Sequence, residues 1–120
     1  MVALPAMQRL RTEAEVEQAF ASPRYLLFKH STRCPISAGA FEEFHHWSAA
    51  HPDAAAGWID VIEERALSQA VAARTGVRHQ SPQAILLENG RPTWNASHDA
   101  ITVESLERSA VKPGAPKDPR

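Results

Sequence analysis

Tyr25-Leu26-Leu27-Phe28-Lys29-His30-Ser31-Thr32-Arg33-Cys34-Pro35-Ile36-Ser37 joins an apolar run to a polar link, then to a thiol followed by proline. Residues 25–30 suit a short buried strand. Pro35 is a good first-turn residue of a helix, because the N–H it lacks would have no intrahelical partner there. Phe41, Phe44 and Trp47 continue at helical spacing until His51-Pro52. The stretch therefore reads as strand, loop and helix N-terminus, with a thiol at the junction. Cys34 is the only cysteine in 120 residues, so it can exchange with other thiols but cannot close a disulfide within its own chain.

Three features of this junction favour the thiolate, the form that attacks a disulfide. A helix N-terminus offers free N–H groups and the positive end of the helix dipole. Arg33 is the immediate neighbour, with Lys29 and His30 close in sequence. Pro35 holds the first turn in helical shape. Ser37 falls three residues after Cys34, where a Cys-x-x-Cys oxidoreductase would carry its second thiol. A hydroxyl there can donate a hydrogen bond to sulfur or cap the first turn, but it cannot form a disulfide.

Outward from the thiol, Thr12-Glu13-Ala14-Glu15 reads as a capping box. It opens a helix that turns Val16, Ala19 and Phe20 inward and stops before Ser22-Pro23. A strand is expected at 56–62 and a helix at Arg65–Thr75, closed by Gly76. Residues 77–82 have no regular period and end in Ser81-Pro82, just before a strand at 84–88. There a cis-proline would leave the Ser81 backbone free to pair with an extended substrate or a thiol cofactor. Asn89-Gly90 is a hairpin signal, followed by a return strand at 92–97. Thr102 caps a last helix through Ala110, and the Pro-rich stretch 111–120 is expected to be a disordered tail. The order is helix, strand, helix, strand, helix, strand, strand, helix. This predicts an α/β domain over residues 1–110, with one central mixed β-sheet flanked by helices on both faces. That is the thioredoxin-like arrangement, with Cys34 where the fold places its nucleophile.

Composition excludes several classes. A formal net charge of −1 with both signs scattered leaves no basic stripe for nucleic acid. No apolar run approaches the roughly 18 residues that span a bilayer. The N-terminus lacks the basic flank and long apolar core of a secretory signal, so a cytoplasmic location is expected. His45, His46 and His51 with Glu42 make poor metal geometry and read as surface residues. His79, in the loop before Ser81-Pro82, is a candidate acid/base group that could approach Cys34. Trp47, Trp58 and Trp94 read as packing residues.

Two segments, Lys29 to Ser37 and Gly76 to Gln83, together resemble the monothiol bacilliredoxins of the YtxJ type. The resemblance extends through Glu63-Glu64-Arg65-Ala66-Leu67-Ser68 and Asn89-Gly90 to Trp94-Asn95-Ala96-Ser97-His98, and so covers residues 10–110. Aligned on Cys34, Arg33 replaces the threonine that precedes the cysteine in the family motif, a departure that bears on thiol acidity or partner choice. The resemblance implies a thioredoxin-like fold and a thiol–disulfide oxidoreductase that removes bacillithiol, a small thiol built on cysteine, glucosamine and malate, from client proteins. Cys34 would be the nucleophile. Arg33, Pro35, Ser37, His79, Ser81 and Pro82 would stabilise the thiolate or bind substrate. Bacillithiol would be a co-substrate, with no metal and no tightly bound cofactor, and an external thiol would regenerate Cys34. Two other readings keep the fold. One is a monothiol glutaredoxin-like carrier of an iron–sulfur cluster, against which Pro35 argues by stiffening the loop beside the sulfur. The other is a binding module without turnover.

Overall fold

The computed structural model describes residues 7–110; the expected tail at 111–120 lies outside them. Nine regular elements follow one another among the described residues. They are β1 (Met7–Arg9), α1 (Glu13–Ala21), β2 (Arg24–His30), α2 (Pro35–Ala50), β3 (Ala56–Asp60), α3 (Arg65–Thr75), β4 (Gln83–Glu88), β5 (Arg91–Ser97) and α4 (Val103–Ala110), with a 3₁₀ turn at His98–Ala100 before the last helix. The strands form one mixed sheet in the order β1-β3-β2-β4-β5. β1, β3 and β2 run parallel, and β4 and β5 complete the sheet by antiparallel pairing.

The element boundaries follow from local chemistry. At α1 both halves of the capping box form, Thr12 Oγ1 accepting from Glu15 N–H and the Glu15 carboxylate accepting from Thr12 N–H. Gly76 ends α3 at φ 75°, in the left-handed region that glycine enters without a Cβ penalty. Asn89 and Gly90 both take positive φ, 53° and 80°, the geometry of the tight turn that matches strand twist. Thr102 Oγ1 accepts from Ser105 N–H at the start of α4.

Two features depart from the sequence expectation. Strand β3 stops at Asp60 rather than continuing to 62, because the Asp60 carboxylate accepts from the N–H groups of Ile62 and Glu63 and turns the chain. The sequence reading also lacked β1, a three-residue edge strand too short to show a period. It is held by its ladder to Ala56–Trp58 and by Leu10 N–H donating to Trp58 O at 2.8 Å.

Strand β2 lies in the middle of the sheet and is covered on both faces, which is why it reads as an unbroken buried run. Side chains alternate between the faces. Tyr25 and Leu27 join Val16, Ala19 and Phe20 of α1 and Leu67 and Val71 of α3. Leu26 and Phe28 join Ala40, Phe44 and Trp47 of α2 and Leu106 of α4. Trp58 and Trp94 pack against that second cluster, so all three tryptophans serve the core.

Gly57 of β3 is conformationally ordinary but sterically fixed. A Cβ there would collide with the Tyr25 hydroxyl and come within 2.7 Å of Gln8 O in β1. Gly57→Ala is therefore expected to cost about 1–3 kcal/mol of unfolding free energy, read from urea denaturation; an unchanged midpoint would contradict this packing.

Lys29 is the charged exception in the interior, fully buried on the α1/α3 face. Burial pushes its ammonium down to about 8 from an ordinary 10.5. Because the unfolded chain holds this proton to higher pH, stability rises as pH climbs through the window from about 8 toward 10.5. Tyr25, raised by burial to about 12, acts in the opposite sense at the top of that window. Lys29→Met should be more stable than the parent at pH 7, with a gap on the order of 1–2 kcal/mol that narrows by pH 9.5. A gap independent of pH in urea melts would contradict it.

Candidate active site

Three chain segments meet at one edge of the sheet because of strand direction. β2 and β3 run parallel and end there, delivering the Ser31–Cys34 loop and the Val61–Glu64 turn. β4 runs the other way and begins there, so the Val77–Pro82 loop arrives at the same edge. Val61 N–H donates to His30 O at 2.9 Å and ties the first two segments together.

Cys34 is the N-cap of α2, in extended backbone geometry, with no side-chain capping bond. Its own N–H donates to Ser31 O at 3.2 Å, and its carbonyl accepts from Ala38 N–H at 3.0 Å. The thiol is partly exposed and free. Pro35 occupies the first turn, as expected, and Arg33 and Pro35 are both exposed beside the sulfur-bearing residue. Ile36 is 58% exposed and Ile62, in the neighbouring turn, 37% exposed; these are the large apolar side chains exposed among the described residues. Both lie in segments that meet at the thiol's edge of the sheet.

Ser37 is fully buried beneath the first turn. Its Oγ accepts from Ser31 N–H at 2.9 Å and lies 2.8 Å from His30 Nδ1. The contacts of Ser37 are thus of the backbone-fixing kind, and they fold the Ser31–Cys34 loop back onto the helix start. His30 is held in turn by stacking on Phe41 at 4.2 Å between ring centroids and by an edge contact with Trp58 at 5.5 Å. Desolvation lowers the His30 pKa against an opposing pull from Asp60, which keeps the ring neutral. With Ser31 N–H already on Oγ, the Ser37 hydroxyl hydrogen is available for a neutral Nδ1. Sequence reading placed His30 only as a nearby charge; its role as the anchor of Ser37 depends on strand alternation and was legible only in that pattern.

The Ser81–Pro82 peptide bond is cis. Pro82 is buried, its carbonyl accepts from His98 N–H at 3.0 Å, and Ser81 Oγ is buried without a hydrogen-bond partner. His79, expected from its loop position to approach Cys34, has its ring nitrogen turned to Lys29 and Ser68. Its Nδ1 lies 3.1 Å from Lys29 Nζ and 3.3 Å from Ser68 Oγ. Desolvation first, then the charges of Lys29 and Arg65, lower the His79 pKa. His51 pairs with Glu107 at 2.7 Å across α2 and α4, a tether between helices. Among the described residues no group of three or more His, Cys, Asp or Glu is arranged to hold a metal ion, and no helix is long and apolar enough to cross a membrane.

Comparison with known proteins agrees with this geometry. One solved structure, of a protein assigned as an oxidoreductase with a thioredoxin fold, is 35% identical, with 86% of this chain and 92% of that one covered and a TM-score of 0.81. Thioredoxins from Halobacterium salinarum (20% identity, 92% and 96% covered, TM-score 0.66) and Malassezia sympodialis (17%, 96% of each, TM-score 0.73) share the fold. The family described as monothiol bacilliredoxin BrxC matches residues 8–106. The chain has a thioredoxin fold with a single thiol at the helix start, and it belongs to the monothiol bacilliredoxin family.

Proposed function

We propose that this protein is a cytoplasmic thiol–disulfide oxidoreductase that removes bacillithiol from client proteins. The observation that carries the reading is the placement of the lone thiol. Cys34 stands partly exposed at the N-terminus of α2, while the position that would hold a resolving thiol is a buried Ser37 already engaged with His30 and Ser31. A disulfide formed on Cys34 therefore has no internal partner to break it.

In the first step the Cys34 thiolate attacks the bacillithiol sulfur of a client mixed disulfide. A Cys34–bacillithiol disulfide forms, the client sulfur–sulfur bond breaks, and the client leaves as a thiolate that takes a proton from water. In the second step free bacillithiol attacks the bacillithiol sulfur of that adduct. Bacillithiol disulfide leaves and Cys34 returns as thiolate. No metal and no tightly bound cofactor enters either step. The exposed Ile36 and Ile62 supply apolar surface near the thiol's loop for a client chain.

Intact mass after exposure to bacillithiol disulfide should show a single adduct, lost on addition of free bacillithiol. Cys34→Ser should take no adduct and should release no bacillithiol from a labelled client. Equal release by parent and Cys34→Ser would overturn catalysis and leave a binding module. An adduct formed with glutathione disulfide but not with bacillithiol disulfide would overturn the choice of thiol.

A further inference from the structure

At the same sheet edge, on the α3 side, lies a cavity of about 250 Å³ lined by Val61, Ile62, Arg65, Ser68, Gln69 and His79. Arg65, Ser68, Gln69 and His79 can each donate a hydrogen bond, and no carboxylate is among its lining residues. Directly behind His79 stands the Lys29 ammonium, fully buried on a face otherwise filled by Leu27, Leu67 and Val71. Among the described residues neither Lys29 nor Arg65 has a carboxylate within ion-pair distance. A buried cation without a counter-charge is costly, and proteins keep one where it has a task.

The hydrogen bonds specify that task. An ammonium has only hydrogens to give, so Lys29 Nζ donates to His79 Nδ1. His79 then carries its own hydrogen on Nε2 and presents a donor from a ring that lines the cavity. Arg65 adds a guanidinium at the first residue of α3, whose N-cap Glu64 makes no side-chain capping bond, so the N–H groups of that first turn are also uncapped. Charge and planar donors on Arg65, a ring N–H, a hydroxyl and an amide line one small volume, with the charge of Lys29 behind the His79 ring. A carboxylate matches this set: it accepts only, it is planar, and its charge answers both cations.

We propose that this cavity is a carboxylate-binding subsite that holds the acidic part of the low-molecular-weight thiol exchanged at Cys34. The proposal rests on the functional reading above for the identity of that thiol, whose malate part supplies carboxylates. Arg65 and His79 contact the carboxylate, and Lys29 acts through His79 as a positioning residue that fixes the ring's donor. The subsite would hold the small thiol by its acid end while the client chain lies along the apolar surface of Ile36 and Ile62.

The experiment has two arms, so that failure of the subsite and failure of the exchange reading separate. In the first, isotope-labelled full-length Cys34→Ser is titrated with L-malate, with chloride at matched ionic strength as control. Saturable shifts at Ile62, Arg65, Ser68 and His79 are expected, with His79 observed as the Nε2–H tautomer. Arg65→Gln should weaken malate about tenfold, and Lys29→Met should in addition scramble the His79 tautomer. Arg65 is exposed, so Arg65→Gln tests the contact without touching the core. In the second arm, with Cys34 present, one neutral client peptide carries either bacillithiol or its malate diester. Exchange with the acid form should be about tenfold faster, and Arg65→Gln should erase the difference. Malate shifts no larger than those of chloride, or equal rates for acid and diester, would overturn the subsite. Malate binding without any exchange would keep the carboxylate site and overturn the redox reading that names its ligand.

Discussion

Strand β2 must be buried on both faces, and its last two residues are nevertheless polar. Everything at the active edge depends on how that conflict is resolved. Alternation sends Lys29 to the α1/α3 face and His30 to the α2/α4 face, each fully or almost fully buried. Neither can stay there without a partner. His30 finds Ser37 and Lys29 finds His79, so one strand end anchors the thiol's loop on one side of the sheet and the cis-proline loop on the other.

The two anchors are chemically different, and the difference is useful. His30 is clamped among Phe28, Phe41 and Trp58 and kept neutral by burial, so it serves as a rigid fixture for Ser37 and hence for the Ser31–Cys34 turn. Lys29 keeps a charge where no carboxylate among the described residues balances it, and it passes directionality to His79. Cys34 itself is bound only through its backbone, which leaves the sulfur free for bond exchange. Rigid surroundings with an unencumbered nucleophile suit a reaction in which the sulfur must form and break bonds repeatedly along one line.

Parallel and antiparallel pairing together do the assembling. If β4 ran parallel to β2, the Val77–Pro82 loop would enter at the opposite end of the sheet and could not reach Lys29. The observed direction brings residues 30, 34, 61 and 79 to one edge from segments far apart in the chain. The Asp60 carboxylate contributes by cutting β3 short, so that Val61–Glu64 turns across this edge and starts α3 with Arg65 facing the cavity.

Much of this was legible in the linear chain, because local interactions write themselves into local sequence. The Thr12–Glu15 capping box, Pro35 in a first turn, Gly76 at a helix stop and Asn89-Gly90 in a hairpin each act over a few residues, and each formed where its pattern lay. A single cysteine at a strand-to-helix junction likewise rules out a disulfide within the chain. Tertiary structure alone decided the rest. The three-residue β1 exists only because β3 offers it a ladder, and the early stop of β3 depends on one carboxylate accepting two N–H groups. The direction of His79 could not be read from its place in a loop, since it is set by a buried ammonium fifty positions earlier that needs an acceptor. Short-range hydrogen bonds and conformational preferences are properties of sequence neighbours, whereas the pairing of buried polar groups is known only once the sheet has chosen who stands opposite whom.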